Sequence, residues 1–114
     1  MIGLRLKFDL NRIAREEIIP FPEQASPRGR MMHASQHISR ELKAVISSHS
    51  PAVTEAAGAG SGLAIRAYAA PGVEVHLIRD GDSLVLHIKD APASLRQQLV
   101  QAALQYGPEQ IDGG

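Results

Sequence analysis

Two histidines and a glutamate follow one another at a spacing that suits metal chemistry. His33, His37 and Glu41 stand at positions i, i+4 and i+8, which places them on one stripe of a helix. Two histidines at i and i+4 can share a zinc ion with a carboxylate as third ligand. Residues 34–36 are Ala, Ser and Gln, so the general base of a zinc protease is absent. The stripe is therefore a candidate metal site or, as we favour, a solvated helix face.

A second group of polar residues occurs in the strand-rich part of the chain. Alternation along predicted strands places Arg66, Tyr68, Glu74, His76 and His87 on one face of a sheet. A Glu–His pair can act as an acid/base dyad, but no Ser, Cys or Lys nucleophile is placed beside it. The group also suits an anion, a metal or a partner protein, or it is an ordinary solvated sheet face. We expect no enzyme, no catalytic residue and no cofactor.

Composition removes further classes of site. The chain has 114 residues and no cysteine, which excludes disulfides, thiolate metal sites and cysteine nucleophiles. The glycines of residues 58–62, Gly-Ala-Gly-Ser-Gly, lack the spacing of a dinucleotide-binding loop and the Lys-Ser/Thr of a phosphate loop. We expect this segment to be a flexible Gly-rich joint.

The charge balance argues against strong nucleic-acid binding. There are 12 basic and 12 acidic side chains, and a neutral protein gains little from phosphate contacts alone. Residues 1–50 are net basic, however, and the cations Arg28, Arg30, Arg40 and Lys43 form the alternative, weak nucleic-acid site. The predicted order helix, three strands, helix is also that of double-stranded-RNA-binding domains, but the final helix begins with a single cation, so the resemblance is limited to topology.

The first half of the chain predicts one strand and two helices. Residues 2–8 alternate as a half-buried strand, and Asp9 or Asn11 can cap a short helix that ends near Ile18. Residues 19–30 should form a Pro-containing extended connection, because proline interrupts helices. A longer helix is predicted over 31–49, followed by a helical turn up to the Gly-rich joint.

The second half predicts a β-meander over 63–89 and a final helix. An Asp80-Gly81 turn would pair Leu77 with Leu84. A three-residue turn over 70–72 would join the preceding strand and place Ala67 opposite Val75. Apolar residues at helical spacing predict a helix from a cap at Asp90 to Tyr106. The tail, 109–114, is expected to fray.

These elements predict a single small α+β domain over 1–114, in the order β-α-α-β-β-β-α. Its antiparallel sheet has three or four strands, and the two longer helices cover one face of it. No stretch approaches the ~20 apolar residues of a membrane span, and the N-terminus is not a signal peptide. We therefore expect a cytoplasmic or virion-associated protein that does not enter membranes.

We expect a non-enzymatic protein–protein interaction or assembly module, a self-associating subunit or adaptor of a larger assembly such as a phage or secretion apparatus. Its partners would be other protein chains, including copies of itself. Adjacent methionines offer adaptable apolar contacts, and a phenylalanine between two prolines is available to dock. The predicted interaction residues are Phe21, Met31, Met32, Arg66, Tyr68, His76 and His87.

Overall fold

The structure, a computed structural model, describes residues 3–23 and 25–113. Within these residues the strands are β1 (Leu4–Asp9), β2 (Thr54–Gly60), β3 (Leu63–Ala70), β4 (Val73–Asp80), β5 (Ser83–Asp90) and β6 (Glu109–Gly113). The helices are α1 (Leu10–Arg15), α2 (Pro27–His49) and α3 (Ala93–Leu104). The α+β class is confirmed. The sheet has six strands, whereas we predicted three or four. The two strands that were not predicted are β2 and β6.

All six strands form one antiparallel sheet in the order β2-β3-β4-β5-β1-β6. β1 lies inside the sheet, where Leu6 pairs with Leu86 of β5. The alternate residues of the central strands that face α2 and α3 are buried, together with Ile38, Leu42 and Leu99 of the helices. The helices therefore cover one face, the inner face, and no helix of the described residues lies on the opposite, outer face.

The helix boundaries follow from local capping. The Ser26 hydroxyl accepts a hydrogen bond from the Gly29 N–H at 3.0 Å, and proline occupies the first turn of α2. This cap starts α2 at Pro27. The extended connection that we predicted over 19–30 therefore ends at residue 26. Residue 24 of this connection lies outside the described residues. Asp9 caps α1 as predicted. The N-cap of α3 is Pro92, not Asp90.

The register between β3 and β4 differs from the prediction by one residue. Tyr68, not Ala67, lies opposite Val75, because the turn between the strands is the Pro-Gly pair alone. Gly72 has φ +74, which suits the second central position of a type II turn. A one-residue slip exchanges the faces of a strand. Arg66 and Tyr68 therefore face α2, and the prediction that they lie on the outer face is wrong.

The β4–β5 hairpin has the predicted faces with a different turn. Leu77 pairs with Leu86 rather than with Leu84, a shift of two residues that leaves the same side chains in the core. The central residues of the turn are Gly81 and Asp82, and only the glycine has a positive φ, at +61. That pattern favours a type II′ turn, so the prediction of Asp80-Gly81 at the centre is wrong.

Two segments that we expected to be irregular are edge strands. Residues 54–60 form β2 instead of a helical turn and the start of a flexible joint, and Ser61-Gly62 is its hairpin turn with φ +53 and +78. Positive φ at both central residues defines a type I′ turn. Residues 109–113 form β6 on β1 instead of a frayed tail; residue 114 lies outside the described residues.

Candidate functional site

The histidine stripe on α2 does not converge on one point. The His33 ring lies 5.4 Å from the Phe21 ring, and its Nε2 lies 3.1 Å from the Pro20 carbonyl oxygen. The His37 ring lies edge-on to Tyr106 at 6.0 Å. In residues 3–23 and 25–113, no group of three or more His, Asp or Glu is arranged to hold a metal ion. The two rings therefore pack against different parts of the fold.

Phe21 and Arg30 belong to a contact within the chain. The Arg30 guanidinium lies 4.4 Å from the centre of the Phe21 ring. The same guanidinium donates to the Ala14 carbonyl at 2.8 Å and contacts Glu17 at 3.2 Å. Phe21 is thus held between Arg30 and His33 and is half-buried. These contacts fasten the loop before α2 to the start of that helix.

Neither the two methionines nor the basic residues of α2 lie together on one surface. Met31 packs against the core, whereas Met32 is 47% exposed. Arg30 and Arg40 are ten residues apart, or about 15 Å along the helix axis. Arg28 is exposed at the helix start. The four predicted nucleic-acid residues therefore divide into two pairs rather than forming one patch.

Of the five polar residues predicted to share the outer face, only Glu74, His76 and His87 lie there. His76 lies opposite His87 with ring centres 6.2 Å apart. Glu74 contacts His76 Nε2 at 3.1 Å and Lys89 at 3.5 Å. The neighbouring row of the outer face is apolar and half-buried: Ile65, Ile78 and Val85 stand side by side.

A groove of about 400 Å³ lies on the inner face, where α2 passes over β3 and β4. Its floor includes Leu77 and Leu84, each 2% exposed. Its walls come from one stripe of α2 and from the residues of β3 and β4 that face this helix. Arg66 and Tyr68 are among them because Tyr68 pairs with Val75. The lining residues are Met32, Ser35, Gln36, Ser39, Arg40, Lys43, Ala64, Arg66, Tyr68, Leu77, Arg79 and Leu84.

One carboxylate closes the β2 end of this groove. Lys43 Nζ lies 2.8 Å from Glu55 Oε1, and Arg66 Nη1 lies 3.5 Å from Glu55 Oε2. The hydrogen bond and the charge of Glu55 raise the pKa of Lys43 above its usual 10.5. Four cations line the groove, Arg40 and Arg79 being the other two, so one carboxylate leaves positive charge in excess.

Tyr68 lies beneath this charged cluster. It is 1% exposed and pairs with Glu55 across the β2–β3 ladder. Its buried hydroxyl has no hydrogen-bond partner among the described residues. Burial raises the pKa of Tyr68 above its ordinary value of 10.0, and the Glu55 carboxylate acts in the same direction, whereas the neighbouring Arg66 guanidinium, itself only a donor, acts against them. A buried hydroxyl without a partner is unfavourable, and this one borders a groove.

The edge strand β2 is the second candidate surface. All seven of its residues are exposed, and their sequence is TEAAGAG. A Cβ added at Gly58 or Gly60 would meet nothing within 4 Å, and neither glycine has a positive φ. The fold itself therefore does not require glycine at these positions. Glycine inside a strand weakens it and often marks close approach by another chain.

The opposite edge of the sheet is protected differently. β6 has a bulge or irregularity where it pairs with Arg5 and Leu6 of β1. Bulges at sheet edges discourage further pairing. β2 pairs with β3 in an unbroken register from Thr54 to Gly60, so it is the more regular of the two edges.

Comparison with known proteins gives no relative for this chain. No protein-family model, no curated protein and no solved structure matches it. Among the helices in the described part of the chain, none combines the length and apolar character that a membrane crossing requires.

Sequence reasoning predicted neither candidate surface as such, although it named five residues that the fold brings together in the groove: Met32, Arg40, Lys43, Arg66 and Tyr68. The signal for β2 was the Ser61-Gly62 pair, which suits a two-residue hairpin turn. The signal for the groove was the Pro-Gly turn after β3, which sets the face of Arg66 and Tyr68.

Proposed function

We propose that this protein is a self-associating interaction module, in which β2 of one copy pairs with β2 of a second copy. The observation that carries the proposal is an exposed edge strand built mostly of small residues, with glycines that its own fold does not need. Addition of a strand to an exposed edge is a general mode of protein association.

The free edge of β2 has a regular set of backbone donors and acceptors. The two-residue turn makes Gly60 and Leu63 the closing pair of the hairpin, and such a pair is hydrogen-bonded across the strands. Hydrogen-bonded pairs alternate along an antiparallel ladder. The N–H and C=O groups of Glu55, Ala57 and Ala59 are therefore directed away from β3, toward the position of an added strand.

The sequence of β2 is compatible with its own antiparallel copy. A two-fold axis at Ala57 would pair Ala57 with itself and Glu55 with Ala59 of the second copy. Both kinds of pair use the outward-directed backbone groups and would form about six hydrogen bonds. Like charges opposite one another destabilise a sheet, and this register places no charge opposite Glu55. Alanine and glycine at the remaining positions leave room for the second strand.

The resulting dimer would contain one continuous sheet of twelve strands. Such an interface is isologous, as in most two-fold dimers. It uses neither the Phe21–Arg30 contact nor the groove on the inner face, so those regions remain accessible in the dimer.

The test is light scattering with size-exclusion chromatography over a concentration series into the high-micromolar range. We expect the mass to rise from monomer to dimer with concentration. Ala57→Pro should remain monomeric, because proline removes an outward N–H while the internal β2–β3 hydrogen bonds persist. Ala57→Ser, which keeps the N–H and adds only one small atom, is the matched control and should associate like the wild type.

Two results would overturn the proposal. One is a wild-type protein that stays monomeric over the whole series. The other is an Ala57→Pro variant that is folded by circular dichroism and associates as strongly as the wild type.

A further inference from the structure

We propose that the groove between α2 and the β3–β4 strands binds a small organic phosphate monoester. The proposal concerns a different surface from the β2 edge. It rests on the cations that converge there, on the apolar floor, and on a buried hydroxyl without a partner.

The cations come from three elements and meet only in the fold. Arg40 and Lys43 lie on α2, Arg66 lies on β3 and Arg79 lies on β4. Three of the four are arginines, whose planar guanidinium groups suit phosphate oxygens because they can bind two at once. With one carboxylate at the groove's end, the excess positive charge matches the double charge of a phosphate monoester better than the single charge of a carboxylate.

The floor of the groove favours an organic ligand over inorganic phosphate. Ala64 and Met32 provide exposed apolar surface between the charged walls, and Leu77 and Leu84, each 2% exposed, lie beneath it. The volume of about 400 Å³ is within the range of small-molecule sites. An aromatic or aliphatic body on this floor would be removed from water while its phosphate meets the arginines.

Tyr68 gives the groove a donor that the protein does not use. Its hydroxyl is buried without a partner among the described residues. The charged groups that act on it are Glu55, Arg66 and Lys43. Arg66 is 57% exposed on its side chain, so it can move from Glu55 onto a bound phosphate. A phosphate oxygen then supplies the acceptor that the hydroxyl lacks.

The experiment is an NMR titration of the full chain with phenyl phosphate, with phenylacetate and inorganic phosphate as comparison probes. We expect phenyl phosphate to bind more tightly than either and to shift the amides of α2, β3 and β4 around the groove. Arg66→Gln should weaken binding about tenfold, because hydrogen bonds to charged groups are strong. Glu55→Gln should strengthen binding, since it releases Arg66 and Lys43.

The matched control is Arg28→Gln, which makes the same charge change at an exposed position outside the groove lining. It should leave the affinity unchanged within about twofold. Tyr68→Phe should weaken binding severalfold and leave thermal stability unchanged or raised, because the deleted hydroxyl is unsatisfied in the free protein.

Three outcomes would overturn the proposal. The first is no binding of phenyl phosphate at millimolar concentration. The second is an equal loss in Arg28→Gln and Arg66→Gln, which would indicate unspecific charge attraction. The third is duplex DNA binding that Arg66→Gln weakens while phenyl phosphate has no effect, which would assign the groove to nucleic acid instead.

Discussion

Lys43 of α2 and Glu55 of β2 form an ion pair of 2.8 Å that joins the helical layer to the edge strand. The pair links the two candidate surfaces of this protein. Glu55 directs its side chain to the groove, while its backbone belongs to the free edge of β2. Arg66 contacts the same carboxylate, so one glutamate restrains two of the groove's cations.

The Lys43–Glu55 pair predicts a specific alkaline titration. Glu55 raises the pKa of Lys43 above 10.5, so the pair stabilises the fold below that value and is lost as pH rises through the raised pKa. Glu55→Gln should lower the Lys43 pKa, as measured by NMR of the lysine side chain. Because the pair is solvent-exposed, stability at neutral pH should change little. Glu23→Gln is the charge-matched control, and identical Lys43 titrations in wild type and Glu55→Gln would contradict the assignment.

Gly58→Val should change stability and association in opposite directions. A β-branched residue favours a strand by up to about 1 kcal/mol, and the added side chain meets no atom within 4 Å in the monomer. The free energy of unfolding should therefore rise in dilute urea-melt experiments. Association should weaken, because the valine occupies space beside the second strand. Gly58→Ala is the control of intermediate size, and stronger association in Gly58→Val would contradict the close approach at this position.

Phe21→Ala should destabilise the fold without changing its association. The ring is half-buried between Arg30 and His33, so its loss should cost about 1–2 kcal/mol, less than a fully buried phenylalanine. Chemical denaturation gives the stability, and light scattering gives the oligomeric state. A monomeric but stable Phe21→Ala variant would instead support the sequence-based expectation that Phe21 docks on a partner.

The sequence was informative where one face of an element is strongly apolar. The presence of α2 and α3 and the shared apolar face of β4 and β5 were correctly predicted, because residues such as Ile38, Leu42, Leu86 and Leu99, all buried, stand at regular spacing. The face of β3 and the β2–β3 hairpin depended instead on the turn residues.

The face of β3 could not be derived from its alternation alone. Each of its faces contains two alanines and two larger residues, so the contrast that fixes register is weak. The face of Arg66 and Tyr68, and with it the whole groove, depends on whether the β3–β4 turn has two or three residues. β6 was not predicted for a different reason. Its pairing with β1 joins segments that are far apart in sequence, and no local pattern indicates such a pairing.

Amide hydrogen exchange of β2 measures strand pairing between copies residue by residue. We expect the N–H groups of Glu55, Ala57 and Ala59 to exchange rapidly in dilute protein and to become protected as concentration rises. Those of Ala56 and Gly58, which bond to β3, should be protected throughout and serve as internal controls. Rapid exchange of Ala57 and Ala59 at every concentration would contradict the proposed pairing.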